Sequence, residues 1–286
     1  MQKKIAVIND LSGYGRCSLT VAIPVLSAMG HQCCPIPTAI LSNHTEFPVY
    51  FFDDYTEKMT TYTDKWKELG LSFDAIATGF LGSEAQIGIV MEIVQKLKAE
   101  KTFVVVDPVM GDHGHAYETY TPEMCEQMKE LVCMADVVLP NVTECCILTD
   151  TPYREENWTR KELLNMAMML RLMGAKSVVI TGVREGSYYT NVVLERGQME
   201  AKFIRTRSSG GERPGTGDVF SSVVAGALLN GKSLPEAVSQ AAGFVKECIK
   251  VSDEEQIPHA NGVCFEKILG KLIKSRRNTL PFLSKI

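Results

Sequence analysis

The chain has 286 residues, of which 45% are hydrophobic, so it can bury a substantial core as one large domain or two small ones. Its formal net charge of −4 excludes a strongly basic surface, and a nucleic-acid partner is therefore not expected. No apolar stretch approaches the roughly 20 residues that a membrane-spanning helix needs, and the apolar run near the N-terminus is too short for a signal peptide.

The nine cysteines include two adjacent pairs in apolar runs, Cys33-Cys34 and Cys145-Cys146, and none has the Cys-x-x-Cys spacing. The five histidines are scattered along the chain, so no Cys/His metal site is predicted. Reduced, buried cysteines in a cytoplasmic protein are the expectation.

Short β-branched runs alternate with helical patterns through the first two thirds of the chain. The predicted strands are Lys3–Asp10, Cys33–Leu41, Phe73–Leu81, Thr102–Met110, Ala135–Asn141 and Lys176–Val183. The predicted helices between them are Leu19–Met29, Glu84–Ala99, Pro122–Cys133 and Arg160–Met173. Several of the strands are apolar on both faces. The alternation therefore predicts an α/β fold, in which a mostly parallel central sheet lies between two helical layers.

The pattern changes after Gly186. Two β-rich runs within residues 187–206 flank Glu195–Gln198 and predict a hairpin. Three predicted helices follow: Asp218–Asn230, Leu234–Lys250 and Cys264–Lys274. Because the chain shows no linker, low-complexity segment or internal repeat, residues 1–286 are expected to form one domain.

Polar residues end most of the predicted strands. Ligands of open α/β sheets bind outside the carboxyl ends of the strands, so these residues are expected to face one edge. They are Asn9-Asp10, Asn43–Thr45, Thr78-Gly79, Asp107, Asn141 and Thr181.

Two phosphate-binding patterns overlap in ERPGTGDVFSSVVAGALLNGKS, residues Glu212–Ser233. Gly226–Ser233 has the letters of a P-loop, G-x-x-x-x-G-K-S, but a P-loop must follow a strand. Here the residues before Lys232 have the apolar periodicity of a helix. Gly231 suits the position after a helix end, and Ser233–Glu236 predicts a capping box for the next helix. We therefore interpret the P-loop match as coincidental.

The other pattern, Gly215–Asp218, is typical of a glycine turn that opens a helix. Gly215 and Gly217 allow positive φ and a close approach of the backbone to a ligand, and the first helical turn attracts anionic oxygen. Asp218 has two interpretations. It is either a helix-start acid that stabilises its own helix by roughly 0.3–1 kcal/mol, or a catalytic group.

The segment PGTGDVFSSVVAGAL, Pro214–Leu228, resembles the signature of the ribokinase-like superfamily, whose members are ATP-dependent kinases of hydroxymethyl groups. Five further motifs, in order, resemble the pyridoxal kinase branch: SNHT (Ser42–Thr45), TGFLGS (Thr78–Ser83), DPVMGD (Asp107–Asp112), PNVTE (Pro140–Glu144) and VVITG (Val178–Gly182). The resemblance implies a ribokinase-like α/β/α sandwich, ATP and Mg²⁺ as cofactors, and a homodimer. The implied activity is phosphorylation of the 5′-hydroxymethyl group of pyridoxal, pyridoxine or pyridoxamine.

By this resemblance Asp218 is the catalytic base, which takes the hydroxymethyl proton while the oxygen attacks the γ-phosphate of ATP. It would also contact the vitamer. The amides of Gly215, Thr216 and Gly217 would hold the charge that builds on the transferred phosphoryl group.

The resemblance also implies a cation site. Asn141 and Glu144 match an N-x-x-E motif that organises Mg²⁺ and phosphates, largely through water, and Asp107 matches an acid near the cation. Asn141 to Glu144 also fits a strand end followed by a helix cap, and the two roles are compatible. Thr181 would meet phosphate or a monovalent cation such as K⁺.

On the substrate side, Ser12 and Thr45 match residues that bind the polar edge of the pyridine ring. Phe80 matches an aromatic residue beside the ring, although it fits a core position nearly as well. The stretch Gly111–Met124 is predicted to be a loop. In the family this region covers the ATP phosphates, where Tyr117 or Tyr120 would reach them, and a plain surface loop is the alternative.

Two rival functions stay open. Hydroxymethylpyrimidine kinases resemble the chain in DPVM and GTGD, but their N-terminal motif is typically richer in Gly and Ala than NDLSGYGRCSL, residues 9–19. The other rival is a non-catalytic nucleotide- or vitamin-binding protein on the same scaffold. Ribose and fructose phosphates are disfavoured as substrates, because LSNHTEF, residues 41–47, lacks the Gly-Gly pair of the sugar kinases.

Overall fold

The computed structural model describes residues 1–273. The strands within this range are β1 (Lys4–Tyr14), β2 (Gln32–Asn43), β3 (Phe52–Asp54), β4 (Ala75–Thr78), β5 (Phe103–Val106), β6 (Gly111–Asp112), β7 (His115–Ala116), β8 (Val137–Val138), β9 (Ser177–Glu185), β10 (Tyr188–Leu194) and β11 (Lys202–Arg207). The α-helices are α1 (Ser18–Ala28), α2 (Thr56–Glu68), α3 (Glu84–Leu97), α4 (Pro122–Cys133), α5 (Val142–Leu148), α6 (Arg160–Met173), α7 (Thr216–Leu229) and α8 (Leu234–Glu254).

Nine strands form one sheet in the order β11-β10-β9-β8-β5-β4-β1-β2-β3. The six strands from β9 to β2 in this order pair in parallel, and antiparallel strands complete both edges. Strands β6 and β7 form a separate two-stranded hairpin. The predicted mostly parallel sheet is therefore confirmed.

Two apolar layers cover the sheet, because the side chains of a strand alternate between its faces. On β1, Ala6 and Ile8 join the cluster that is packed by α3, α4 and α6, whereas Ile5 and Val7 join the cluster packed by α1, α7 and α8. All four side chains are at least 95% buried. The arrangement is the predicted three-layer α/β/α sandwich.

Local sequence signals explain where several helices begin and end. Helix α6 has a capping box in which Thr159 and Glu162 bond each other's backbone N–H groups, and Gly174 follows its last turn with a φ of 138°. Helix α4 begins with Pro122 after the capping side chain of Thr121. Both helices have the predicted bounds.

Several predicted strands end earlier than their apolar runs. Residues 135–141 were predicted as one strand, but β8 has only Val137 and Val138 in the ladder. Pro140 has no N–H to donate, and Asn141 returns to the sheet only through an isolated bridge to Thr181. Likewise β4 and β5 end at Thr78 and Val106, before the chain turns away from the sheet.

Two predicted elements are wrong in part. The predicted loop Gly111–Met124 contains the β6–β7 hairpin, whose turn uses positive φ at His113 and Gly114. The predicted helix Cys264–Lys274 is a 3₁₀ helix over Glu266–Leu272, and Lys274 lies outside the described residues. Helix α2 and the edge strand β3 were not predicted, whereas α5 begins where Asn141 to Glu144 fits a helix cap.

The chain reverses direction across the sheet next to β1. Helix α1 packs on one face on the way from β1 to β2, whereas the buried residue Met59 of α2 packs on the other face on the way to β4. In open α/β sheets the crevice beyond the carboxyl ends at such a switch point is the preferred ligand site. The carboxyl ends of β1 and β4 are therefore where the site is expected.

Candidate active site

The N-terminus of α7 lies at the carboxyl end of β1, where Asn9 contacts Asp218. The backbone geometry there requires glycine at residue 215, just before the helix. Gly215 is the residue before the helix and has a φ of 78°. A Cβ atom at Gly215 would lie 1.8 Å from the backbone oxygen of Arg16, so no other residue fits without movement of the backbone. Gly217 is exposed, and a Cβ atom there would meet no atom within 4 Å. The first turn of α7 therefore has open space where a ligand can approach its N–H groups.

Asp218 lies in this first turn and is partly buried. Its carboxylate accepts hydrogen bonds from Asn9 Nδ2, at 3.2 Å from Oδ1, and from the backbone N–H of Ser18. Burial raises the pKa of Asp218 to about 6, and the charge of Asp10 acts in the same direction, whereas the two hydrogen bonds oppose the rise. Near neutral pH the group is thus ionised and more basic than an ordinary carboxylate, which suits a general base.

Asp107 follows β5 and faces the same space. Burial, together with the negative charge of Asp218, raises the pKa of Asp107 to about 8, although a hydrogen bond from Ser221 opposes the rise. Two carboxylates that repel each other in one crevice favour a cation between them.

Glu144 lies at the start of α5 and is only 3% exposed. Its Oε2 accepts the backbone N–H of Asn141 at 2.7 Å, and its Oε1 accepts that of Met110 at 3.2 Å. Asn141 Oδ1 accepts the N–H of Glu144 in return, which completes a capping box. Burial raises the pKa of Glu144, and Asp107 raises it further. The capping role is therefore present, while the metal-binding role stays a prediction.

The donor set fits Mg²⁺ only in part. Within residues 1–273, no group of three or more His, Cys, Asp or Glu side chains converges closely enough to hold a metal ion. Both oxygens of Glu144 already accept backbone hydrogen bonds, so Asp107 offers the freer carboxylate. Because Mg²⁺ usually keeps several waters and binds one or two carboxylates plus substrate phosphates, these two residues fit such an ion but not a closed protein cage.

The structure separates the two candidate tyrosines. Tyr117 is 42% exposed. Burial is the main cause of its raised pKa, and the negative charges of Glu144, Asp112 and Asp107 raise the pKa further. Its hydroxyl therefore lies near these carboxylates. Tyr120 is 7% exposed and packs in the core cluster. Its hydroxyl has no hydrogen-bond partner among the described residues. Tyr117 is the better placed of the two to meet a ligand.

Thr181 lies beside Asn141 at the carboxyl edge of the sheet, where its backbone N–H donates to the backbone oxygen of Pro140 at 2.8 Å.

At the start of α7, the backbone N–H of Thr216 donates to the backbone oxygen of Arg213 at 3.4 Å. This is a long hydrogen bond that a phosphate oxygen can replace. Thr181 and Thr216 are both partly buried.

The three predicted substrate contacts differ in access. Ser12 is fully buried, and its hydroxyl donates to Asp10 Oδ2 at 2.9 Å. Thr45 lies on an exposed turn after β2. Phe80 is partly buried, and its backbone N–H donates to Asn9 Oδ1 at 2.9 Å. Phe80 therefore lies next to the residue that contacts Asp218, whereas the Ser12 hydroxyl is occupied within the protein.

The P-loop letters lie at the other end of α7. Gly226 is inside the helix, where a Cβ atom would lie 2.6 Å from Met29 Sδ, and Gly231 follows the helix with a φ of 81°. Ser233 and Glu236 form the predicted capping box of α8. The helix predicted before Lys232 is therefore confirmed, and these residues lack the strand, loop and helix order of a P-loop.

Three residues of the site were missed by sequence reasoning: Asn9, Asp10 and Ser18. The sequence places Asn9 and Asp10 at the ligand-binding edge of the sheet but assigns neither of them a role in the site. Ser18 has no recognisable signal, because its contribution to Asp218 is a backbone N–H.

Residues 23–264 match the family model described as phosphomethylpyrimidine kinase, which is more than half of the chain. The chain belongs to this family. Among solved structures, it is similar to a provisionally named phosphomethylpyrimidine kinase from Bacteroides thetaiotaomicron, with 40% identity, 95% of this chain and 94% of that chain covered, and a TM-score of 0.92. A second crystal form of that protein, with a TM-score of 0.91, contains pyridoxal.

Two curated relatives carry different names. The pyridoxine kinase of Bacillus subtilis is 29% identical over 88% of this chain and 85% of its own. The hydroxymethylpyrimidine/phosphomethylpyrimidine kinase of Aquifex aeolicus is 32% identical over 60% of this chain and 66% of its own. The predicted membership of the pyridoxal kinase family, and its ribokinase-like fold, are confirmed. The protein is a kinase of this group, which includes enzymes of both names.

Within residues 1–273, no helix combines the length and the apolar character that crossing a lipid bilayer requires.

Proposed function

We propose that this protein is an ATP-dependent kinase that phosphorylates the 5′-hydroxymethyl group of pyridoxal, pyridoxine and pyridoxamine. The observation that carries the proposal is the placement of Asp218: a partly buried carboxylate with a raised pKa, in the first turn of α7, at the carboxyl edge of the sheet. The pyridoxal in the crystal of the 40% identical Bacteroides protein supports a B6 vitamer as the acceptor.

The reaction divides among a few groups of this chain. Asp218 takes the proton of the 5′-hydroxyl as the oxygen forms its bond to the γ-phosphorus, and the bond from that phosphorus to the β-phosphate oxygen breaks, which releases ADP. The N–H groups of Gly215, Thr216 and Gly217, at the positive end of the α7 dipole, stabilise the charge on the transferred phosphoryl group. Asp107, with Glu144 through water, would hold Mg²⁺, which supplies positive charge to the phosphates.

A panel of acceptors tests the proposed function. The purified protein is incubated with MgATP and pyridoxal, pyridoxine, pyridoxamine or hydroxymethylpyrimidine, and the phosphorylated product is measured by mass spectrometry and steady-state rates. We expect the largest kcat/KM with a B6 vitamer. A large preference for the pyrimidine would overturn the choice of substrate, and no turnover with any acceptor would favour a non-catalytic binding protein.

The second candidate is hydroxymethylpyrimidine kinase. Its support is the match to the phosphomethylpyrimidine kinase family model over residues 23–264 and the similarity to the Aquifex enzyme. The same panel distinguishes it, because a hydroxymethylpyrimidine kinase would have its largest kcat/KM with the pyrimidine acceptor.

The homodimer, the cytoplasmic location and a K⁺ requirement are further parts of the proposal. Light scattering of the purified protein measures the first, fractionation of cells the second, and rates in K⁺ against Na⁺ buffers the third.

A further inference from the structure

The side-chain amide of Asn9 has a defined orientation. Its Oδ1 accepts two backbone hydrogen bonds, from the N–H of Asp10 at 3.0 Å and from that of Phe80 at 2.9 Å. Two donors on the same atom identify it as the oxygen, so the NH₂ group is the part that faces Asp218, at 3.2 Å from Oδ1. Asn9 is only 5% exposed, and a Cβ atom at Gly79 would lie 2.3 Å from its Nδ2, so the amide has little room to move.

A second contact reaches Asp218 from the start of α1. The backbone N–H of Ser18 donates to the carboxylate, and Ser18 has a φ of 54°, in the left-handed region that favours glycine. The Ser18 hydroxyl donates to Oδ1 of Asp10, whose Oδ2 accepts the hydroxyl of Ser12. Asp10 is 5% exposed, and its backbone N–H donates to Asn9 Oδ1 while its carboxylate accepts the Ser18 hydroxyl, so one buried residue supports both contacts to Asp218.

The inner side of Asp218 borders a cavity of about 20 Å³, which Asn9, Thr78, Ser221 and Ser222 also line. On that side the carboxylate faces a space the size of a single water molecule. Directional hydrogen bonds from Asn9 and Ser18, more than close packing, therefore set its rotamer.

We infer that Asn9 is a positioning residue for the phosphoryl transfer: it holds Oδ1 of Asp218 so that Oδ2 faces the hydroxyl of the acceptor. This inference rests on the proposed function, in which Asp218 is the base. Asn9 acts through Asp218 and touches neither the acceptor nor the nucleotide in this role. A misplacement of a reacting group by about 1 Å costs up to about 10²-fold in rate.

The test is Asn9→Asp, which keeps an acceptor for the two backbone N–H groups but replaces the NH₂ donor by an oxygen that repels Asp218. We expect kcat with pyridoxal to fall about 10²-fold, with KM for ATP and for pyridoxal changed by no more than about threefold. When Asn9→Asp is added to Asp218→Asn, we expect no further loss, because the residue it positions is already inactive.

Gln86→Glu is the matched control. Gln86 Nε2 donates to Asp54 Oδ1 at 3.2 Å, and its Oε1 accepts the backbone N–H of Gly82 at 2.8 Å, so the substitution breaks the same kind of contact at another carboxylate. It should lower the melting temperature about as much as Asn9→Asp while kcat changes less than about twofold.

The possible outcomes separate the inference from the proposed function. Wild-type kcat in Asn9→Asp, a rise in KM alone, or an equal loss of kcat in Gln86→Glu would each overturn the positioning role. Retention of activity in Asp218→Asn would instead overturn the proposed base, independently of Asn9.

Discussion

The two ends of helix α7 both carry the letters of a phosphate-binding motif, but their environments are opposite. At the N-terminus, Gly215 to Asp218 lie at the carboxyl edge of the sheet, with Asp218 in contact with Asn9 of β1. At the C-terminus, Gly226 is enclosed by the helix and by Met29, and Lys232 follows on an exposed turn.

The comparison shows that direction along the helix matters more than the letters of a motif. The N-terminus presents N–H groups and the positive end of the dipole, which attract phosphate oxygens, whereas the C-terminus presents carbonyl groups and the negative end. Glycine also serves different purposes at the two ends. Gly215 allows the close approach of Arg16, and Gly231 only ends the helix.

The largest expected effect comes from Asp218→Asn. The amide cannot take the acceptor proton, so kcat with pyridoxal should fall by about 10²–10⁴-fold, measured by steady-state phosphorylation. The affinity for ATP, measured by calorimetry, should change little, because in the proposed mechanism the nucleotide binds the backbone of the turn. A kcat within tenfold of the wild type would show that the base lies elsewhere.

A pair of glycine substitutions compares the two ends directly. Gly215→Ala places a Cβ atom 1.8 Å from the Arg16 oxygen, so the turn must shift, and we expect about a 10²-fold loss of kcat together with a lower melting temperature. Gly231→Ala has a similar φ but open space, so it should cost about 1 kcal/mol of stability and leave kcat unchanged. Equal kinetic effects of the two variants would contradict the distinction between the ends.

The pH dependence of kcat/KM should reflect the raised pKa of Asp218, which is about 6. The ionised form is the base, so activity should rise about tenfold per pH unit below pH 6 and level off above it. Rates from pH 5 to 8 at saturating Mg²⁺ measure this profile. Samples returned from pH 5 to pH 7.5 should regain full activity, which separates titration from unfolding, and a flat profile down to pH 5 would contradict the assignment.

The smallest effect is expected from Lys232→Ala. Lys232 is exposed beyond the C-terminus of α7, so its removal should change the Kd for ATP by less than about twofold. Isothermal titration measures the affinity. A loss of tenfold or more would mean that the P-loop letters bind the nucleotide after all.

The elements that could be predicted are those with a strong local signal. The parallel strands have apolar runs that suit burial on both faces, and α6 has Thr159 with Glu162 before it and Gly174 after it. Helix α2 could not be predicted in the same way, because only Met59 and Thr63 of its residues are buried, so it has no continuous apolar face.

The glycine turn that opens α7 could be predicted because its glycines and Asp218 are adjacent in the sequence. The contact between Asn9 and Asp218 could not, because it joins residues 209 positions apart and depends on the fold. The buried ring of Tyr120 also follows from tertiary packing, which no motif records.

The most direct measurement is a crystal structure of the protein with pyridoxal, Mg²⁺ and a non-hydrolysable ATP analogue. We expect the terminal phosphate oxygens at the N–H groups of Gly215 to Gly217, and the 5′-oxygen of pyridoxal about 3 Å from Asp218. A terminal phosphate bound at Gly226 to Ser233, or a vitamer whose hydroxymethyl group points away from Asp218, would contradict this expectation.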